Sequence, residues 1–136
     1  MARRLILDTG VLIRAERGRS RLHRALRDDD DVVIAAVTAA ELLVGVELAD
    51  EKQRADRTAY VDDVLGTVPV EDYTLEVAAA HARLLAHVRR LGRSRGAHDL
   101  IIAATAAATG RTVVTGDAAA AFGELPGVDV LAVDRR

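Results

Sequence analysis

Leu5, Ile6 and Leu7 make an unbroken apolar run that ends on Asp8 and passes almost at once into a second apolar stretch, Val11, Leu12 and Ile13. A run this short with no polar position reads as a strand covered on both faces, and such strands belong to parallel sheets sheathed by helices. The rest of the chain repeats the alternation. Further strands are expected at residues 31–36, 68–70, 112–115 and 128–133, where valine, isoleucine and leucine cluster. Helices are expected at residues 11–27 with a break near Gly18, from Thr38 onward, at 49–65, at 74–91, at 97–109 and, briefly, at 118–122. Glu41 stands three residues after Thr38, the spacing of a capping box, and Leu42, Leu43, Val46 and Leu48 give that helix an apolar face. The 74–91 helix carries a stripe of Leu75, Val77, Ala78, His81, Leu84, Leu85 and Val88. The alanine-rich 97–109 helix is apolar on most sides, which places it centrally, and Gly110 stops it. Pro69 has no N–H for a ladder, so its strand lies near an edge. Strands alternating with helices in this way give a parallel sheet with helices on both faces.

Half of the 136 residues are apolar, and no repeat or Gly/Ser/Pro-rich linker divides them. A single domain over residues 1–136 with one substantial core is expected. No apolar run approaches the length that spans a bilayer. The chain runs from Met1 through Arg4 straight into the first strand without a signal peptide, and it has no cysteine for disulfides or thiolate metal sites. A cytoplasmic location without membrane association fits these features. The net charge of −2 gives no overall attraction to nucleic acid, and Phe122, Tyr60 and Tyr73, the only aromatics, form no platform for stacked bases. The basic charge is almost all arginine, Lys52 being the one lysine; guanidinium groups suit bidentate phosphate contacts where they cluster. The acidic run of residues 28–31 reads as a solvated turn that ends a helix rather than a metal site, because adjacent turn side chains diverge.

Four carboxylates stand out by position. Asp8 ends the first strand, Glu41 lies in the first turn of the helix after the second, Asp117 follows the strand at 112–115, and Asp99 opens the alanine-rich helix among apolar neighbours. In a parallel sheet the carboxyl ends of the strands share one edge and line the ligand crevice. Four acids in one small pocket require a cation, because like charges raise each other's pKa and unpaired buried charge is costly. An oxygen-only set suits Mg²⁺ or Mn²⁺, and an ion so held can orient water and stabilise charge in an in-line phosphodiester displacement. Singly, each acid also has an ordinary local role: Asp8 and Asp117 as caps, Glu41 as half of a capping box, Asp99 as a first-turn acid on the helix dipole.

Four segments in order carry a resemblance. They are Leu7-Asp8-Thr9 with Val11-Leu12-Ile13; Thr38-Ala39-Ala40-Glu41-Leu42-Leu43-Val44-Gly45; His98-Asp99-Leu100-Ile101-Ile102-Ala103-Ala104; and Val114-Thr115-Gly116-Asp117 with Phe122. Over residues 4–134 the chain resembles the PIN-domain ribonucleases, in particular the VapC-type toxins of bacterial toxin–antitoxin pairs. The resemblance implies a compact three-layer α/β/α sandwich with a central parallel sheet of four to five strands, and Mg²⁺-dependent (or Mn²⁺-dependent) endoribonuclease activity. It implies Asp8 and Asp99 as the main metal ligands, and Glu41 and Asp117 as ligands of a second ion or holders of the attacking water. Thr9 and Thr115 match hydroxyls that support the acids, where they also read as ordinary turn or cap residues. The implied partners are an RNA substrate, a cognate VapB-like antitoxin whose C-terminal segment covers the acidic groove, and a second copy of the chain in a homodimer. Two positions depart from the family pattern. Gly10 stands where Ser or Asn is usual, and residues 118–121 are alanines where many relatives carry an acid or polar residue before Phe122.

Arg93 and Arg95, on the glycine loop ahead of Asp99, and Arg14 and Arg17, about two turns past Asp8, are candidates for RNA phosphate contacts, with solvated surface charge as the alternative. His98 reads as a helix-start residue rather than a general base, and His81 and His87 lie on different helix faces and are not a metal pair. Gly45 reads as a close helix-packing position. Two other functional classes compete. A phosphatase or phosphotransferase would use Asp8 as phosphoryl acceptor, but Gly10 stands where a second acid would be needed and Lys52 is not the late lysine of a receiver domain. A catalytically silent RNA- or protein-binding module would keep the fold without turnover.

Overall fold

β1 (Arg4–Leu7) is the central strand of the sheet. In the computed structural model, which describes residues 2–116 and 122–133, it is flanked by β2 (Asp31–Ala35) and β4 (Thr112–Thr115), and β3 (Val70–Glu71) and β5 (Val130–Ala132) complete the order β3-β2-β1-β4-β5. Every pairing is parallel, with Leu5 opposite Val32 on one side and Thr112 on the other. The connecting helices are α1 (Thr9–Glu16), α2 (Leu22–Ala25), α3 (Ala36–Leu48), α4 (Glu51–Thr67), α5 (Leu75–Arg90) and α6 (Ala97–Thr109). Side chains alternate across the strands as the pleat requires. Ile6, Val33, Ala35 and Val113 pack with Val77, Ala80, Leu84 and Val88 of α5 and with Leu100, Ile102 and Ala103 of α6. Leu5, Leu7, Ile34 and Val114 pack with Val11 and Leu12 of α1, Leu42 of α3, and Val61 and Val64 of α4. Both faces of β1 are therefore apolar because both are covered, which makes the three-layer α/β/α sandwich with five parallel strands.

α6 and β4 begin and end where the sequence predicts. Several other boundaries differ, each for a local reason. β2 runs directly into α3, with Ala35 at the N-cap position, so Thr38 lies inside the helix, fully buried, and no capping box forms. The predicted helix at 11–27 is α1, already helical from Thr9, and the single turn α2, separated around Gly18 at φ 67°. Asp50 rather than Ala49 starts α4, its Oδ1 accepting from the Gln53 N–H at 2.9 Å. The third strand is Val70–Glu71, at the edge of the sheet, and the last narrows to Val130–Ala132. On α5, capped by Thr74, the buried stripe is Val77, Ala80, Leu84 and Val88, while Leu75 is 82 % exposed. Leu43 and Leu48 of α3 likewise face solvent. The predicted helix at 118–122 falls, except for Phe122, outside the described residues, as does Asp117. Among the described residues no helix is long and apolar enough to cross a membrane.

Polar contacts tie the elements together. The Tyr60 hydroxyl on α4 donates to the Leu12 carbonyl of α1 at 2.7 Å. Two acids of the run at 28–31 have partners in the chain: Asp31 meets Arg4 and Arg111, and Asp30 accepts from Arg3 at 2.7 and 2.9 Å and from the Arg27 N–H at 2.7 Å. The Arg3 guanidinium covers the Asp30 side chain, 1 % exposed, and has solvent behind it at 26 %. Its hydrogen bond holds the Asp30 carboxyl down to about 2. A folded-state pKa below the unfolded value contributes stability above about pH 4 that is lost as the pH falls toward 2. The acid limb of a pH–stability curve should accordingly flatten between those values in Asp30→Asn. An unchanged acid limb in that variant would exclude Asp30 as a source of acid sensitivity.

Candidate active site

The strand order reverses at β1, whose neighbours β2 and β4 lead away in opposite directions. In open α/β sheets the ligand crevice lies at the carboxyl ends of the strands beside such a reversal, and Asp8 leaves β1 there. Its N–H still bonds the Val114 carbonyl at 2.9 Å, which holds the residue against β4. Asp8 is buried, at 6 % exposure. It occupies the N-cap position of α1, but its side chain makes no capping hydrogen bond. Instead Oδ2 accepts from the Thr115 hydroxyl at 2.8 Å. Burial pushes the Asp8 carboxyl above the usual carboxylate range; the Thr115 hydroxyl, the Gly10 amide and the Arg14 charge oppose that rise, and Glu41 adds to it.

Glu41 reaches the same place from α3. The Thr9 hydroxyl lies 3.0 Å from Glu41 Oε1 and 2.9 Å from the hydroxyl of Thr38. Thr9 has one proton and an ionised carboxylate can only accept, so the chain of donors runs from Thr38 to Thr9 to Glu41. On the other oxygen, His98 Nδ1 stands 3.4 Å from Glu41 Oε2. Asp99 enters from the first turn of α6, half-buried. A cavity of about 240 Å³ is lined by Asp8, Thr9, Gly10, Ile13, Arg14, Glu41 and Asp99. A shallower opening of about 310 Å³, walled by Glu41 and by Gly96 to Asp99, adjoins it through the two shared acids. Three acids from three separate elements thus face one trench. Among the described residues, however, no group of three acidic or histidine side chains is placed to hold one ion as it stands. A third, more enclosed cleft of about 190 Å³, with Ile13, Leu42, Tyr60 and Val61 in its walls, touches Glu41 from the side of α4. It lacks Asp8 and Asp99.

A family profile for the PIN domain matches residues 5–126. The chain belongs to the PIN-domain family. Among curated PIN-domain relatives, Ribonuclease VapC5 of Mycobacterium tuberculosis is 42 % identical over 115 residues, 82 % of either chain. Ribonuclease VapC of Rickettsia bellii is 28 % identical over 130 residues, 95 % of this chain and 96 % of that one. Among solved structures, VapBC-5 from M. tuberculosis, a member of the VapBC family of toxin–antitoxin systems, matches with a TM-score of 0.78 at 34 % identity, covering 96 % of this chain and 98 % of the other. DNA-bound VapBC from Salmonella typhimurium gives 0.84 at 25 % identity, with 97 % and 98 % covered.

Within this PIN domain the arginines singled out by sequence are placed unequally. Arg93 pairs with Glu124 at 2.8 Å, both exposed, and Arg95 donates to the Gly123 carbonyl at 2.7 Å. The two brace a turn in which Glu124 takes φ 65°. Arg14 lines the acid cavity, but its Nη2 is sealed from solvent. Arg17 lies exposed outside the acid cavity, on the cleft toward α4. Lys52 is exposed on α4 and lines no part of the trench. His81 bonds the Tyr73 hydroxyl at 2.8 Å, away from His87. Two contributors go beyond the sequence reading: Thr38, taken there as a cap, stands behind Thr9, and His98 meets Glu41. The Thr38–Glu41 spacing was a sequence signal for the first, and adjacency to Asp99 one for the second.

Proposed function

We propose that this protein is a metal-dependent endoribonuclease, the toxin of a toxin–antitoxin pair, hydrolysing RNA phosphodiester bonds over the acid trench. The observation that carries the reading is the convergence of Asp8, Glu41 and Asp99 on one cavity at the strand-order reversal, with Asp8 desolvated. An all-oxygen donor set beside a carboxyl that resists ionisation fits a hard divalent cation, Mg²⁺ or Mn²⁺. Asp8 and Asp99 would be its main ligands, joined by Glu41 and, from the segment after β4, Asp117. Such an ion supplies Lewis acidity and charge at the phosphate. The chain's own part is orientation. Thr115 fixes Asp8, the Thr38–Thr9 pair fixes one oxygen of Glu41, and His98 lies against the other. Glu41 so held is the acceptor for a proton of the attacking water. Arg93, whose exposed pair with Glu124 is readily exchanged, is the reading's RNA phosphate contact, with Arg95 behind it. The VapBC structural relatives support an antitoxin partner, and the exposed Leu43, Val44 and Leu48 of α3 support a second copy of the chain as another.

The absence of a ready three-ligand group among the described residues favours one alternative, a silent binding module on the same fold. Incubation of the partner-free protein with total RNA in Mg²⁺, Mn²⁺ or EDTA separates the two, with Asp99→Asn run beside it. Metal-dependent cleavage that falls at least about 10³-fold in Asp99→Asn is expected. Normal cleavage by Asp99→Asn would sink the acid-trench mechanism. Intact transfer, ribosomal and total RNA with metal binding preserved would establish the silent module.

A further inference from the structure

One nitrogen of the Arg14 guanidinium, Nη2, is buried where no acceptor among the described residues meets it, although the side chain lines the acid cavity. The sequence makes room for it at two glycines. A Cβ at Gly116 would fall 2.5 Å from Nη2, 3.1 Å from Cζ and 3.3 Å from Nε, so the guanidinium lies on bare backbone just past the end of β4. A Cβ at Gly10 would stand 3.4 Å from Asp8 Oδ2 and 3.5 Å from Arg14 Nη2. Gly10 therefore marks the gap across which the two charges face each other, and a side chain longer than a methyl group there would enter it. A buried donor of a cation left without a hydrogen bond is costly, and nearby opposite charge offsets part of that cost; here the facing charge is that of Asp8. The Arg14 charge accordingly opposes the upward push of burial on the Asp8 carboxyl.

We propose that Arg14 is a built-in counter-cation of the acid pocket, seated on Gly116, which balances the carboxylates in the ion-free protein and competes with the divalent ion for them. Arg14 is in this sense a positioning residue that sets the affinity of the site, and the glycines at 10 and 116 are its seat. The inference rests on the reading of Asp8 as a divalent-ion ligand. A unit charge several ångströms from a divalent ion, at the effective dielectric of a partly buried site, changes affinity by about ten-fold or more.

Calorimetric titration with Mn²⁺ at fixed pH and ionic strength tests it on the wild type, Arg14→Gln, Arg14→Lys, Gly116→Ala and Asp8→Asn. Arg14→Gln should bind Mn²⁺ about ten-fold tighter or more, although its ion-free melting temperature drops. Gly116→Ala should shift affinity in the same direction, because the new methyl displaces the far end of a flexible side chain and leaves the Arg14 charge outside the pocket. Arg14→Lys, which keeps the charge, should stay close to wild type. A merely structural Arg14 would weaken binding in all three. Unchanged or weaker binding by Arg14→Gln, with Asp8-dependent binding intact in the wild type, overturns the proposal while leaving the metal site standing. Equal tightening by Lys and Gln overturns it too. Mn²⁺ binding that is nowhere sensitive to Asp8→Asn removes the metal reading and this inference with it.

Discussion

Asp8→Asn is expected to lower RNA cleavage by at least about 10³-fold while making the ion-free protein more stable at neutral pH. The two effects have opposite signs because one carboxylate does two things. For catalysis it is a ligand and a negative charge at the carboxyl end of β1, and Asn supplies neither the charge nor two acceptor oxygens. For stability it is a desolvated anion. Its folded-state pKa is raised by burial, so its contribution to stability is full below the unfolded value, about 4, and is lost as the pH rises through the folded one. At pH 7, well above the unfolded value, the Asp8 carboxyl is therefore a load on the ion-free fold. Asn removes that load, which remains after the opposing Arg14 charge is counted, and keeps an amide oxygen for the Thr115 hydroxyl, which lies at 2.8 Å. Melting in EDTA at pH 7 should show Asp8→Asn above wild type, the gap closing on acidification as the wild-type carboxyl takes up its proton. Addition of Mn²⁺ should raise the wild type alone, since only a state that binds the ion gains from it. Lower stability of Asp8→Asn in EDTA at pH 7 would show that the Asp8 charge is compensated well enough to hold the fold together.

The site's position was legible from very little. The run from Leu5 to Leu7 carries the central strand, and because both faces of that strand are covered, its first polar residue is forced to the crevice. Asp8 was readable for that reason, and Asp99 because it opens an alanine-rich helix among apolar neighbours. Thr38 was misread because a capping hydroxyl and a first-turn hydroxyl aimed at another element share one spacing; only the direct passage of β2 into α3, which leaves Ala35 at the cap position, separates them. Leu75 and Leu48 continue apolar patterns in sequence, yet each stands at a helix end that has turned past its neighbours. Arg14 shows the deepest limit. Its position in α1 suggests a surface cation, and nothing in its own segment announces a seat on Gly116, a hundred residues on. Such a contact follows from the pairing of β1 with β4, not from any local period.

Arg111→Met is expected to destabilise the fold by about 2–3 kcal/mol, a fall in melting temperature of roughly 8–12 °C, without changing cleavage per folded molecule. Arg111 immediately precedes β4 and its side chain is 5 % exposed. One nitrogen, Nη1, donates to the Leu5 carbonyl at 3.3 Å and to the Asp31 carbonyl and carboxylate at 3.0 Å each, joining β1 and β2; Nη2 reaches Glu71 of β3 at 3.5 Å. One side chain thus links β4 to three other strands of the sheet. Methionine fills much of the same volume, so the loss is mainly of these bonds and of the charge that faces Asp31 and Glu71. Those two acids are 44 % and 32 % exposed and can regain water, and Arg111 Nε has no partner to lose among the described residues; the expected figure therefore sits below that for a fully buried pair. In a parallel sheet the residue entering β4 lies at the end away from Asp8, which is why the acid trench should be untouched. Equilibrium urea unfolding gives the first number and single-turnover cleavage on the folded fraction the second. A stability change within about 0.5 kcal/mol of zero, the range of ordinary surface substitutions, would mean that backbone pairing alone holds the strands together. A loss of cleavage at full folding would mean that the two ends of the sheet are coupled through β1.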